Sequence, residues 1–362
     1  MIKLLIDDGM QVRVGTGIGK YTINLYEGLM NDNEVSVKMD SFESSGGRKL
    51  KRLKYIGHIN NSSYLKKLEE YDVVHYTNFL MPFRHINKAK TIVTIHDLTA
   101  FLYPDTLPKS YRAYNRYAIQ TALKHADAII TVSQSVKSEI INQFSYCNPD
   151  KIHVIYPGIS RHISKLQNGG CKEYENLKLK AMEGNKFFLF VGTVEKRKNL
   201  SIVIKAFFKF KKKYDEEGIY KLVLAGRPGF GFDEYMSIIN ASSYKDDVIV
   251  TGYISDSDCD LLYNKAESYI FPTIYEGFGI PTVECMTCDL PIILSNIPVN
   301  HEVAGKYGRY FNLDNIDTLV DAMAAVYNKR PELDGEEFLK RFQNQVIIEQ
   351  YKCLIKGLLR HN

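Results

Sequence analysis

Short apolar runs rich in valine and isoleucine alternate with longer segments of helical spacing along the chain, and the alternation begins afresh near its middle. A strand, a crossover helix and another strand make the unit from which parallel sheets are built, so the pattern predicts an α/β fold. In the N-terminal half the strands fall at 3–6, 35–39, 73–76, 91–95, 128–132 and 153–155, with helices over 19–30, 110–125 and 135–144. Ser133 and Ser135 stand where they can cap the last of these helices. Tyr156-Pro-Gly158 breaks the rhythm, and a polar stretch containing Gly169-Gly170 reads as a connection with a short helix. The second set places strands at 187–191, 221–225, 248–251, 269–271 and 291–294, with a helix over 201–214. At 362 residues the chain exceeds what one hydrophobic core organises. The expected architecture is two Rossmann-like domains with parallel sheets facing an interdomain cleft. The first covers 1–160 and the second 161–339, and a C-terminal helix within 340–362 is expected to cross back onto the first.

Hydrophobic residues make up 45% and charged residues 25%, a composition for a chain that folds throughout. The N-terminal apolar run, Leu4-Leu-Ile6, is cut at once by Asp7 and Asp8, whereas a signal peptide needs about seven apolar residues. No stretch approaches the roughly eighteen apolar residues that cross a bilayer. A cytoplasmic protein is the expectation. The six cysteines are scattered, which favours free thiols. Cys285-Met-Thr-Cys288 has the form of a metal or redox motif, but no second ligand pair stands near it, so it reads as small residues inside a helix and no metal or cofactor is assigned.

Formal net charge is +5, and its distribution says more than its size. Residues 1–160 hold 20 Lys+Arg against 15 Asp+Glu, and residues 161–362 hold 27 against 27. The densest cluster is Arg48, Lys49, Lys51, Arg52 and Lys54, interleaved with Leu50, Leu53, Tyr55 and Ile56. It suits an anionic leaflet at the inner membrane or a lipid diphosphate, and equally a solvated helix face. A pI of about 8.6 without a recognition motif gives no nucleic-acid partner.

Ligands of open α/β sheets collect at the carboxyl ends of strands, where helix N-termini favour phosphate. Five such junctions carry unusual sequence. In Gly15-Thr-Gly-Ile-Gly19 the third glycine of a dinucleotide fingerprint would fall on Lys20, so Gly17 and Gly19 read as a phosphate- or acceptor-facing loop, or as a structural turn. His96-Asp97 follows a buried strand, which suits a catalytic or donor-contacting histidine as well as a satisfied structural one. The loop 192–199 sets Arg197 and Lys198 just ahead of Asn199 and a helix, where cations and amides converge on one diphosphate; alone, it also reads as a solvated basic turn. Gly226-Arg-Pro-Gly-Phe-Gly231 is the fourth. In Tyr275-Glu-Gly-Phe-Gly-Ile-Pro-Thr-Val-Glu284 two carboxylates frame a turn of bare amides at Gly277, Phe278, Gly279 and Ile280, suited to sugar, phosphates and ribose; the alternative is two surface glutamates.

Together these segments, with Thr94-Ile-His-Asp97, Val132-Ser133 and Tyr156-Pro-Gly158, resemble the retaining glycosyltransferases of family four, which have the two-domain GT-B fold. The resemblance implies that Lys198 and Arg197 bind the diphosphate of a nucleotide-sugar donor, that Glu276 and the amides of Phe278 and Gly279 hold the sugar, and that Glu284 binds the ribose. His96 would lie beside the transferred sugar, and Thr251, Gly252 and Tyr253 would meet the base. Two departures stand out: Thr193 where many members have arginine, and Lys196 where the nearest subgroup has proline. The implied reaction is hexosyl transfer with retention, Glu276 acting as a binding group. Thr94-Ile-His-Asp97 and Glu195-Lys-Arg-Lys-Asn199 are similar to segments of bacterial polysaccharide mannosyltransferases, which implies GDP-mannose as donor and a glycan or polyprenyl-diphosphate-linked acceptor. UDP-hexose and deoxysugar donors stay open, as does a nucleotide-sugar epimerase on the same fold.

Overall fold

The computed structural model describes residues 1–9, 17–83, 88–159, 163, 173–328 and 336–360. The chain divides into two compact units: Met1–Pro104 with Lys109–Ser160 and Lys340–Asn362, and Arg161–Leu339 with the short Asp105–Pro108.

The first unit runs β1 (Ile2–Asp7), α1 (Gly17–Leu29), β2 (Val35–Asp40), α2 (Arg48–Ile59), α3 (Ser62–Leu68), β3 (Val73–Tyr76), β4 (Lys90–Ile95), α4 (Thr99–Leu102), α5 (Lys109–His125), β5 (Ala128–Thr131), α6 (Gln134–Gln143) and β6 (Ile152–Val154). The strands form one parallel sheet in the order β2-β1-β3-β4-β5-β6. Helices cover both faces, so β3 and β5 are buried at every residue, His75 and Thr131 included. Ser133 caps α6 by accepting from the Val136 amide at 3.1 Å. Helices α2 and α3 are anchored from beneath: the hydroxyls of Tyr55 and Tyr64 donate to the two oxygens of Asp7 at 2.5 and 2.6 Å. Burial pushes the Asp7 carboxyl up to about 6, against the pull of those two hydroxyls and the Gly9 amide.

The second unit runs α7 (Leu177–Lys180), β7 (Lys186–Val191), α8 (Leu200–Tyr214), β8 (Tyr220–Ala225), α9 (Phe232–Asn240), β9 (Val248–Gly252), α10 (Asp256–Lys265), β10 (Ser268–Phe271), α11 (Ile280–Thr287), β11 (Ile292–Ser295), α12 (Pro298–Ala304), β12 (Gly308–Phe311), α13 (Ile316–Asn328) and α14 (Glu336–Leu339). Its parallel sheet has the order β12-β11-β10-β7-β8-β9. From β7 the chain winds outward through β8 and β9, returns to β10 beside β7, and winds the other way. The switch point between β7 and β10 is where a doubly wound sheet takes its ligand. The sixth strand, β12, was absent from the sequence expectation because Gly308-Arg-Tyr-Phe311 on a sheet edge carries neither β-branched residues nor alternation.

Helix α15 (Asn344–Arg360) packs on the first unit. Tyr351 and Ile355 are fully buried there, and Lys352 pairs with Asp32 at 2.8 Å and with Glu34 at 3.2 Å. Asn24 and Asn344 exchange reciprocal amide hydrogen bonds at 2.8 and 2.5 Å. That pair explains the last residue of Tyr156-Pro-Gly158: a Cβ on Gly158 would lie 2.0 Å from Asn344 Oδ1 and 2.5 Å from Asn24 Nδ2. Among the described residues no helix is long and apolar enough to cross a membrane.

Gly158→Ala should therefore break the amide pair and destabilise the protein by roughly 2 kcal/mol. Gly357→Ala, on α15 with nothing among the described residues within 4 Å of the added Cβ, should instead stabilise it slightly, by about 0.5 kcal/mol. Urea unfolding of the two variants checks the pair, and equal effects would contradict this account of Gly158.

Candidate functional site

In the second unit the site is built on a close approach of two backbones. Gly192 and Gly226, at the ends of β7 and β8, have φ values of +145° and +155°, and a Cβ on Gly226 would fall 1.8 Å from the Gly192 carbonyl oxygen. Only glycine fits there. The loops that follow are then laced together: Val194 N–H donates to Arg227 O at 2.9 Å, Gly229 N–H to Val194 O at 2.9 Å and Lys196 N–H to Phe230 O at 2.7 Å. So fastened, the first loop closes in a single 3-10 turn, Lys196–Lys198, and leaves it through Asn199 in the left-handed region at φ +50°.

That turn brings Arg197 and Lys198 onto Glu276. Arg197 donates from Nη1 to Glu276 Oε2 at 2.6 Å and to the Tyr275 carbonyl at 2.8 Å, and from Nη2 to Glu195 Oε1 at 2.9 Å. Lys198 Nζ pairs with the same Glu276 oxygen and lies 4.6 Å from the centre of the Phe271 ring. Lys198 is only 8% exposed, so the solvated basic turn left open by the sequence is not what forms. Burial alone would push the Glu276 carboxyl up, but the charges of Arg197 and Lys198 and their hydrogen bonds outweigh it and hold the group down at about 2. Lys198 moves below its ordinary value, chiefly through burial and also through repulsion by Arg197, while Glu276 opposes the shift.

The second glutamate is set apart from this cluster. Glu284, on α11, is buried and accepts a hydrogen bond from the Tyr263 hydroxyl at 2.9 Å. Neither glutamate is the exposed surface residue of the alternative reading. Between them Gly277, Phe278 and Gly279 are buried, Gly279 has φ +92°, and no side chain caps the N-terminus of α11 at Ile280. Thr282 adds an observation absent from the sequence reading: its hydroxyl, in the first turn of α11, is buried and has no hydrogen-bond partner among the described residues. At the ends of β7 and β9, Thr193 and Tyr253 are exposed, while Thr251 is buried and donates to the Gly252 carbonyl at 2.8 Å. Cys285 and Cys288 are buried, and Cys288 donates to the Cys285 carbonyl at 3.3 Å.

In the first unit His96 follows β4, and its Nε2 donates to the Thr77 carbonyl at 2.7 Å. Burial lowers its pKa despite that bond, so the ring is neutral near pH 7 and Nδ1 is an acceptor, one with no partner among the described residues. The ring is met edge-on by Tyr21, 5.2 Å between centroids. Tyr21 is fixed in turn by a buried polar chain. Its hydroxyl lies 3.2 Å from Thr94 Oγ1, which lies 2.8 Å from His75 Nε2, and Tyr351 on α15 lies 3.0 Å from His75 Nδ1. Burial holds the His75 pKa down to about 3, so it stays neutral and accepts from one side while donating to the other. Gly17 and Gly19 are the first and third residues of α1, and Gly15 and Thr16 lie outside the described residues. In the basic cluster, Arg52 turns inward over the rings of Tyr111 and Tyr114 at 4.6 and 4.7 Å. Lys51 and Lys54 are exposed beside Leu50 and Leu53, themselves 48% and 65% exposed; the side chains of Arg48 and Lys49 lie outside the described ones.

Comparison with known proteins agrees with this layout. Residues 173–346 match the family profile described as glycosyl transferases group 1, and residues 15–162 match glycosyltransferase family 4. The chain is 27% identical to the O-antigen chain mannosyltransferase B of Escherichia coli, over 84% of this chain and 85% of that one. It is 28% identical to the O-antigen chain mannosyltransferase RfbU of Salmonella typhimurium, over 87% of this chain and 91% of that one. Its fold matches that of Anabaena HepE, solved in complex with UDP and glucose, with a TM-score of 0.71 at 17% identity, covering 99% of this chain and 100% of that one.

A carboxyl held below its unfolded value contributes stability that is present above the unfolded pKa and lost as pH falls through the folded one. For Glu276 that window runs from about 4.5 down to about 2. Urea midpoints should therefore fall more steeply across it for the native protein than for Glu276→Gln. At pH 7 the variant should be less stable by roughly 3 kcal/mol, because two cations lose their shared partner. Parallel pH profiles would contradict the ion cluster.

Proposed function

The chain belongs to the glycosyltransferases of family four, and we propose that it moves a mannosyl group from GDP-mannose, with retention of anomeric configuration, to a glycan or polyprenyl-diphosphate-linked acceptor in bacterial surface polysaccharide synthesis. The observation that carries this reading is the Arg197–Lys198–Glu276 cluster beside the uncapped N-terminus of α11. A departing nucleoside diphosphate develops charge on its phosphate oxygens, and preorganised cations and helix amides stabilise that charge without reorganising during the reaction. The proposal places that task on Arg197, Lys198 and α11, not on a metal ion. Glu276 suits a binding role: a carboxylate held at about pKa 2 is a weak base and a weak nucleophile, and one of its oxygens is engaged by both cations. Proton removal from the incoming hydroxyl then falls to the leaving phosphate, the same-face route that gives retention. His96, with Nδ1 as acceptor, would hold a hydroxyl of the transferred sugar, and Glu284 the ribose.

Mannose as the hexose is supported by the names of the two O-antigen relatives, and a nucleotide-sugar donor by the UDP and glucose held by HepE. Exposed Leu50 and Leu53 beside Lys51 and Lys54 on α2 support peripheral contact with an anionic inner-membrane leaflet, where a lipid-linked acceptor resides.

Incubation of the protein with GDP-mannose, UDP-hexoses and deoxysugar donors, each with a lipid-linked glycan, should give a glycosylated product from GDP-mannose; transfer from UDP-hexoses alone would overturn the donor. The glutamates should fail differently. Glu284→Gln should weaken GDP and GDP-mannose alike, by about ten- to hundredfold. Glu276→Gln should leave GDP affinity intact or raise it, since a competitor for the two cations is neutralised, while lowering transfer by a similar factor. Calorimetric titration with both ligands decides it, and equal losses on the two for Glu276→Gln would refute the division of roles.

A further inference from the structure

Thr251, Gly252 and Tyr253 offer no fork of donors to a base: Thr251 donates its hydroxyl proton to the Gly252 carbonyl, and Tyr253 presents a ring that is 65% exposed and carries a single hydroxyl. The neighbouring loop offers one. Gly226 is bridged to Gly252, so the loop after β8 lies alongside the loop after β9, and the Arg227 guanidinium sits 4.5 Å from the centre of the Tyr253 ring. Arg227 is exposed, and among the described residues its side chain has neither an ion-pair nor a hydrogen-bond partner. Every other arginine or lysine named in the second unit's site, Arg227 aside, is engaged by a carboxylate.

An unengaged guanidinium stacked on a tyrosine is a planar fork of donors with its orientation restrained by the ring beneath. Strands in a sheet are about 4.8 Å apart, so the loops after β8 and β9 lie about one and two spacings from the loop after β7, within reach of the base of a nucleotide whose diphosphate meets Arg197 and Lys198. Guanine presents two adjacent acceptors, O6 and N7, to such a fork, whereas a pyrimidine presents a single oxygen on the corresponding edge. We infer that Arg227, held over Tyr253, reads the base of the donor and selects guanine. The inference rests on the proposed GDP-linked donor and assigns its specificity to a residue outside the cluster that handles the diphosphate.

The test is calorimetric titration of the full chain and of Arg227→Met with GDP and with UDP. Methionine keeps an apolar stem over Tyr253 and removes the donors, and because Arg227 is exposed the variant should unfold at the same temperature as the parent. The parent should bind GDP at least tenfold more tightly than UDP, and the variant should lose about tenfold for GDP while UDP changes less than twofold. If the parent prefers GDP but the variant weakens both nucleotides alike, or neither, Arg227 contributes only charge or nothing, and the inference fails while the donor reading stands. If the parent prefers UDP, the GDP-linked donor itself is wrong and the guanine reader falls with it.

Discussion

One carboxylate shared by two cations organises the second unit. Glu276 could not lie between Arg197 and Lys198 if the Lys196–Lys198 turn were displaced by even a side chain's width, and that turn is held by the lacing of the loop after β7 to the loop after β8. The lacing depends on the contact of Gly192 with Gly226, which admits no Cβ. A lysine as buried as Lys198 is tolerated only with its partner present, so each part of the arrangement is conditional on the others. The result is a cluster whose own charges largely cancel: Arg197 and Lys198 face Glu276 and Glu195. Under the proposed function such a cluster would receive a diphosphate by exchanging one anion for another, which costs less than holding bare cations out of water.

The first unit applies the same physics to a neutral residue. His96 is fixed by a carbonyl on one side and by the edge of Tyr21 on the other, and Tyr21 is fixed by a polar chain that ends on Tyr351 of α15. The C-terminal helix thereby does more than cover apolar strands. It supplies the last hydrogen bond in the chain that orients the histidine, and its ion pairs to Asp32 and Glu34 hold it in register over α1 and β2.

Much of this was legible in the sequence, for reasons that can be named. Strands such as β7 and β8 are buried on both faces, so their apolar runs carry the signal without ambiguity, and the two-sheet α/β fold follows from their alternation with helices. The candidate residues at strand ends could be found because glycines and charges interrupt those runs abruptly. What spacing does not carry is pairing: Arg197 and Glu276 lie 79 residues apart, and nothing local tells that they neutralise one another. The cluster from Arg48 to Ile56 shows only its charges and its helical spacing in the sequence, because the anchoring of α2 and α3 uses the Tyr55 and Tyr64 hydroxyls on Asp7, contacts made across 48 and 57 residues. The orphan Thr282 hydroxyl and the stacking of Arg227 on Tyr253 are equally invisible, since each is defined by what surrounds it and not by its own type.

The most direct test of the central claim follows the Glu276 carboxyl itself. Carbon-13 labelling of glutamate side chains, with the resonance assigned by its loss in Glu276→Gln, allows that group to be titrated by NMR in the free protein and with GDP bound. The account predicts a carboxyl that stays ionised down to about pH 2 in the free protein and titrates at higher pH once a diphosphate shares Arg197 and Lys198. Titration near the ordinary glutamate value in the free protein, or a value that GDP leaves unmoved, would contradict it.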